Sequence, residues 1–179
     1  MKKIIATIFL TMIFSANAQV IIGDATGTAA VKTSVLLEFA AGQNKGLILP
    51  YVRTMPATPT EGTILLDAST ATTARVKYYN GSWVDLSGQD GNVTTALAQQ
   101  PTAIQAPETT VSKAIIGAAT SSADGVLVLE STTKAMVLPI VADVQLIPSP
   151  SPGMIVYVNK AGAKRLAVYN GSKWSFWKP

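Results

Sequence analysis

Tyr79-Asn80-Gly81-Ser82-Trp83 and Tyr169-Asn170-Gly171-Ser172-Lys173-Trp174 decide the fold. In each, an Asn-Gly pair separates an alternating run from a tryptophan. A two-residue hairpin turn needs positive φ at both central positions, which Asn and Gly tolerate. Both stretches therefore predict a β-hairpin with its tyrosine beside its tryptophan across the strands. Such aromatic pairs stabilise a hairpin by about 0.2–1 kcal/mol. The extra Lys173 predicts a longer or bulged loop in the second copy.

Working outward, the same order of signals surrounds each hairpin. Ile22-Gly23, Leu37-Glu38, Leu47-Ile48-Leu49-Pro50 and Pro59 to Ile64 precede the first. Ile116-Gly117, Leu129-Glu130, Met136-Val137-Leu138-Pro139 and Pro150 to Ile155 precede the second. The offset of about ninety residues is that of a duplicated small module, too long for a solenoid turn. Short strands are predicted at Val35–Phe39, Val126–Glu130, Thr63–Leu66, Met154–Val158 and Arg165–Tyr169, with Leu166 and Val168 on one face. Leu47–Leu49 and Met136–Leu138 are strands ended by a proline that withholds a ladder donor. No segment sustains a helical period. The expected fold is all-β: two small repeated modules of short strands and hairpins, at 19–88 and 112–179. Between them, 89–111 is rich in Thr, Ala, Gln and Pro and reads as an extended linker, with a helical turn at most over Thr95–Gln100.

Residues 1–18 read as a signal peptide. Lys2 and Lys3 form the basic start, Ile4 to Phe14 the apolar run, and Ala16-Asn17-Ala18 a small-residue cleavage site. Cleavage would leave Gln19 first, without a cysteine for lipid attachment, and no later stretch is apolar for long enough to span a bilayer. The formal charge falls from +4 to +2 when Lys2 and Lys3 leave with this segment, a balance that predicts no nucleic-acid partner. The expected destination is the cell surface or extracellular space, with the periplasm as the other compartment on the route.

The chain has no cysteine and no histidine. Disulfides cannot staple the modules, and the commonest general base and transition-metal ligand are missing. Charged residues are 13% of the chain, about half the usual share, so part of the surface is expected to be covered. Modules of this size bury only marginal cores, and association between chains would supply the rest. The expected partner is a second copy of the chain.

Glu38 and Glu130 stand at matching places, which favours pairing or capping over catalysis. Gly42 to Gly46 lacks the Gly-Lys-Ser/Thr ending of a phosphate loop, and Asp90-Gly91-Asn92 lacks the ligand alternation of a calcium loop. Asn80, Asn92 and Asn170 open glycosylation sequons, of which the hairpins explain two. Tyr79, Trp83, Tyr169, Trp174 and Trp177 are the candidate ligand or interface residues, as a sugar-stacking platform or as packing. Trp177 alternates with Phe176, so one of the two is expected to face solvent or a neighbouring chain. No catalytic residue, cofactor or metal site is expected. The reading is a non-enzymatic structural or adhesin-like component; the alternative is a carbohydrate-binding module using the hairpin tryptophans.

Leu129 to Pro139, Pro150 to Tyr157 and Tyr169 to Trp174, with looser counterparts at Asn44 to Pro50 and Tyr79 to Trp83, carry a resemblance. The series is similar to repeat modules of exported Bacteroidota surface proteins, which themselves resemble segments of phage tail fibres. Ala135 stands where those modules usually have glycine. The resemblance implies an extracellular, β-rich, fibre-like or adhesin-like homo-oligomer, with a trimer favoured and a surface glycan or protein as partner.

Overall fold

The computed structural model describes residues 19–101, 104, 105, 107 and 112–177. The expected signal peptide, part of the 89–111 segment and the last two residues lie outside these. Each repeat contributes seven short strands in the same order. In the first they are β1 (Val20–Ile22), β2 (Val35–Phe39), β3 (Leu47–Ile48), β4 (Tyr51–Val52), β5 (Ile64–Asp67), β6 (Arg75–Tyr79) and β7 (Trp83–Asp85). In the second they are β8 (Ala114–Ile116), β9 (Leu127–Leu129), β10 (Ala135–Met136), β11 (Ile140–Val141), β12 (Met154–Val158), β13 (Arg165–Tyr169) and β14 (Trp174–Trp177). The chain is all-β apart from helix α1 (Thr94–Gln99) and a 3-10 turn at Val144–Leu146.

The repeats share a blueprint. β1 pairs parallel with β2, and β8 parallel with β9. β4 runs parallel to β5 and β11 to β12, each beginning after a proline. Pro50 and Pro139 cannot donate, but their carbonyls accept the N–H of Leu66 at 3.0 Å and of Tyr157 at 2.9 Å. The ladders β5-β6-β7 and β12-β13-β14 close each repeat as antiparallel hairpins.

The hairpins form where the sequence predicts them, and the second loop is longer by one residue, as Lys173 predicts, but the two-residue turn expected of the first does not form. Tyr79 faces Trp83 across three loop residues and Tyr169 faces Trp174 across four, so neither turn is the two-residue type. Only the glycines take positive φ, +87° at Gly81 and +101° at Gly171. In the second loop Asn170 is fully buried, and its Oδ1 accepts the N–H groups of Ser172 and Lys173 at 3.0 and 2.9 Å. That asparagine closes a polar turn and has no free amide for a glycan.

The segment expected as an extended linker is folded over its first part. Gly91 bridges to Ala74 by two backbone bonds. α1 then follows, and Val93 and Leu97, four residues apart, are buried in the main core. One turn of amphipathic spacing is enough to dock a helix on an existing apolar face.

That core belongs to both repeats. Leu66, Val76 and Leu86 of the first pack with Ile155 and Val168 of the second, and with Val93 and Leu97 of the segment between. A second cluster on the other face of β12 and β13 gathers Val141, Ile147, Met154, Val156, Val158 and Ala167. Strand alternation sends Ile155 to one cluster and Met154 and Val156 to the other, so β12 is buried on both faces.

Candidate interaction surface

The repeats also exchange strands. β10 of the second repeat lies parallel to β2 of the first, with Ala135 N–H donating to Ser34 O and Val137 N–H to Leu37 O, both at 2.8 Å. β3 of the first repeat lies antiparallel to β12 of the second, pairing Leu47 with Ile155 and Ile48 with Met154. The two contacts together form one joint between the repeats. They cover β2, where Val35 to Glu38 are all buried, and close the edge of β12.

The equivalent edges of the other copies carry no strand among the described residues. β9 pairs only with β8. β5 pairs with β6 and β4, and the stretch of its edge that matches the β3 site on β12 is empty. The glycines report the same asymmetry. A Cβ on Gly153 would meet Leu49 O at 3.2 Å, whereas one on its counterpart Gly62 would meet nothing within 4 Å.

The predicted aromatic pairs form. The rings of Tyr79 and Trp83 lie 5.2 Å apart, tilted 58°, and those of Tyr169 and Trp174 lie 5.2 Å apart, tilted 42°. All four side chains are half-buried, and Tyr169 and Trp174 pack on the second cluster. Phe176 and Trp177 are both nearly half exposed, where alternation predicted one. Arg165 covers the Phe176 ring at 5.1 Å, and Trp177 Nε1 donates to Leu86 O at 2.9 Å. The five candidate residues are therefore split between two hairpin ends and the last strand, and do not form one aromatic platform.

Other bonds tie the second hairpin to the end of the first. Asn170 Nδ2 donates to Gln89 O at 2.7 Å, Asn92 N–H to Ser172 Oγ at 2.9 Å, and Ser175 Oγ to Ser87 O. These contacts span 80 to 88 residues of sequence.

Glu38 is the one charged residue fully buried among those described. Its carboxylate accepts from Thr28 N–H at 2.9 Å, Ala29 N–H at 2.8 Å, the Gln19 amide and the Lys32 ammonium. Burial pushes its pKa up, but Lys32 and the two backbone N–H groups outweigh that and hold it below the usual value. The role is structural: it anchors the 26–32 loop over β2. Glu130 does different work. Counted from the Ile-Gly pairs, Glu130 N–H donates to Ile116 O as Ala40 N–H donates to Ile22 O, so it stands at the place of Ala40 and not of Glu38. Its carboxylate accepts from the Ser121 hydroxyl.

No group of three acidic side chains gathers to hold a metal among the described residues. A groove of about 580 Å³ between α1 and the Pro150–Pro152 turn is lined by neutral side chains, including Tyr51, Asn92, Gln99 and Gln100. Among the described residues no helix is long and apolar enough to cross a membrane.

The sequence missed the joint. Its strands were legible, but each of β3 and β10 is two residues long and nothing local names its partner. The signal that bears on it is Gly46, where a Cβ would collide with Met154 Cγ and lie 2.7 Å from Val156 Cγ1.

No curated protein and no solved structure matches this chain. Residues 115–178 match the family model described as a phage tail like trimerisation region. The match coincides with the second repeat, from β8 to the end of β14, and supports the likeness to phage tail fibres.

Proposed function

We propose that this chain is a non-enzymatic, structural component of a fibre-like homotrimer. The match of the second repeat to a phage tail like trimerisation region carries the reading. The exchanged strands and open edges support it, because each repeat buries its strands only with help from another. The basic start and apolar run of residues 1–18 support export to the cell surface, and the likeness to surface-protein repeats supports an adhesin-like role there. In that role the turns carry contacts to a surface glycan or protein. Light scattering on the chain from Gln19 onward tests the reading. The expected mass is that of three chains; a stable, folded monomer overturns it.

A second reading rests on Trp177, whose ring is nearly half exposed on the last strand. It suits stacking against a sugar ring. Glycan titration followed by tryptophan fluorescence tests this, with Trp177→Ala expected to abolish the response while the trimer mass persists.

A further inference from the structure

We propose that the joint made once inside the chain is made again between chains: β9 and β10 of one copy pair with β3 and β5 of a second. This deepens the oligomeric reading above by naming its interface. Within the chain, β2 of the first repeat holds one edge of β10, and β12 of the second holds one edge of β3. Every strand in that joint has a counterpart in the other repeat: β9 for β2, β3 for β10, β10 for β3 and β5 for β12. The counterparts retain the matching edges unpaired among the described residues. One surface of the chain thus presents β9 and the outer edge of β10, and a different one presents β5 and the outer edge of β3. The two surfaces are complementary and not identical, so the contact is heterologous, and such a contact closes into a ring or continues as a filament.

Exposure agrees with this at the β9–β3 half of the joint, while on β5 Leu65 is already covered from within the chain. In β2 the apolar residues Val35, Leu36 and Leu37 are at most 3% exposed. At the counterpart edge Val126 is 57% and Leu127 43% exposed, and Ile48, on the β3 strand that would cover them, is 50% exposed. Long-lived unpaired edges with apolar side chains invite pairing with another chain. The residue pattern agrees as well. Inside the chain Gly46 is glycine because Met154 and Val156 crowd it. In the second joint its place is taken by Ala135, the place of Met154 by the shorter Thr63 and the place of Val156 by Leu65. The methyl group of Ala135 therefore meets a smaller neighbour at Thr63, though not at Leu65.

The intrachain register fixes the intermolecular one. Ile155 faces Leu47 and Met154 faces Ile48, so Ile64 should face Met136 and Thr63 should face Val137 of the neighbouring chain. Met154 and Ile48 are not bonded to each other by their peptide groups, because Gly153 O takes the N–H of Leu49. Such pairs bring Cβ atoms closest and suit a disulfide.

The chain has no cysteine, which gives a clean background. Full-length single variants Thr63→Cys and Val137→Cys, and the double variant, are oxidised and run without reductant, with circular dichroism checking that each folds. An equimolar mixture of the singles should form a linked pair, each single alone should not, and the double variant should lose its monomer band to a covalent trimer. The proposal is overturned if the double variant closes its disulfide within one chain, or if Thr63→Cys links to itself. Trimers by light scattering without any Thr63–Val137 link overturn this joint and leave the trimer standing. A folded monomer overturns both.

Discussion

The two repeats have the same strands in the same order, yet each is sealed at a different place. In the first, β2 is covered by β10 while the edge of β5 stands open; in the second, the edge of β12 is covered by β3 while β9 stands open. Gly153 is buried and Gly62 exposed for this reason. The difference teaches that a repeat here is a unit of sequence and not a unit of stability. Each supplies a strand the other lacks, and the fold becomes one body through the shared core of Leu66, Val76, Ile155 and Val168.

The comparison can be broken first at the glutamates. Glu38→Ala leaves Lys32 and two backbone donors without their acceptor and should cost about 3 kcal/mol, on the low side for a buried pair because Lys32 is partly exposed. Glu130→Ala loses one bond to Ser121 and should cost about 1 kcal/mol. Urea melts of the two variants measure the gap; equal costs would mean that the carboxylates do the same work.

Glycine comes next. Gly46→Ala drives a methyl group into Met154 and Val156 and should cost about 2 kcal/mol. Ala135→Gly at the counterpart position only loosens an exposed strand and should cost about 0.5–1 kcal/mol. If the alanine at 46 is neutral by thermal melt, the intrachain joint is looser than its contacts indicate.

Acid sharpens the same contrast. The folded-state pKa of Glu38 is depressed, so its stabilisation is complete above the unfolded value of 4.5 and is lost as pH falls through the folded value. Asp67, beside Lys77, and Asp143, beside Lys160, are depressed too and add to the slope. Glu38→Gln should flatten stability against pH below 4.5, measured by urea midpoints at successive pH values. A small effect is also expected at Trp177→Phe, which keeps an aromatic ring and loses the bond to Leu86 O, about 1 kcal/mol by the same melts.

Local signals were legible and non-local ones were not. Tyr79 pairs with Trp83, and Tyr169 with Trp174, because a strand, a glycine turn and a strand follow one another directly in the sequence. The turn type escaped because Asn80 and Asn170 do not take positive φ; only the glycines do. α1 was readable only as a turn, since Val93 and Leu97 gain their burial from strands far away in sequence. β3 and β10 were found as strands, but a two-residue strand bears no mark of its partner. The candidate aromatics were found singly, and their separation onto two hairpin ends and β14 depended on the whole sheet. The resemblance to tail-fibre segments pointed beyond what composition and periodicity could bound, and the match to a trimerisation region at residues 115–178 lies on the closer of the two sets of residues that carried it.

The stitching of the last hairpin to residues 86–92 also sets an order of events. Leu86, Ser87 and Gln89 wait for Trp177, Ser175 and Asn170. A chain emerging from its N-terminus therefore completes its first repeat only after its final strand is available. Contacts so distant in sequence make folding slow, and the incomplete first repeat stays open for as long as the rest of the chain is being delivered.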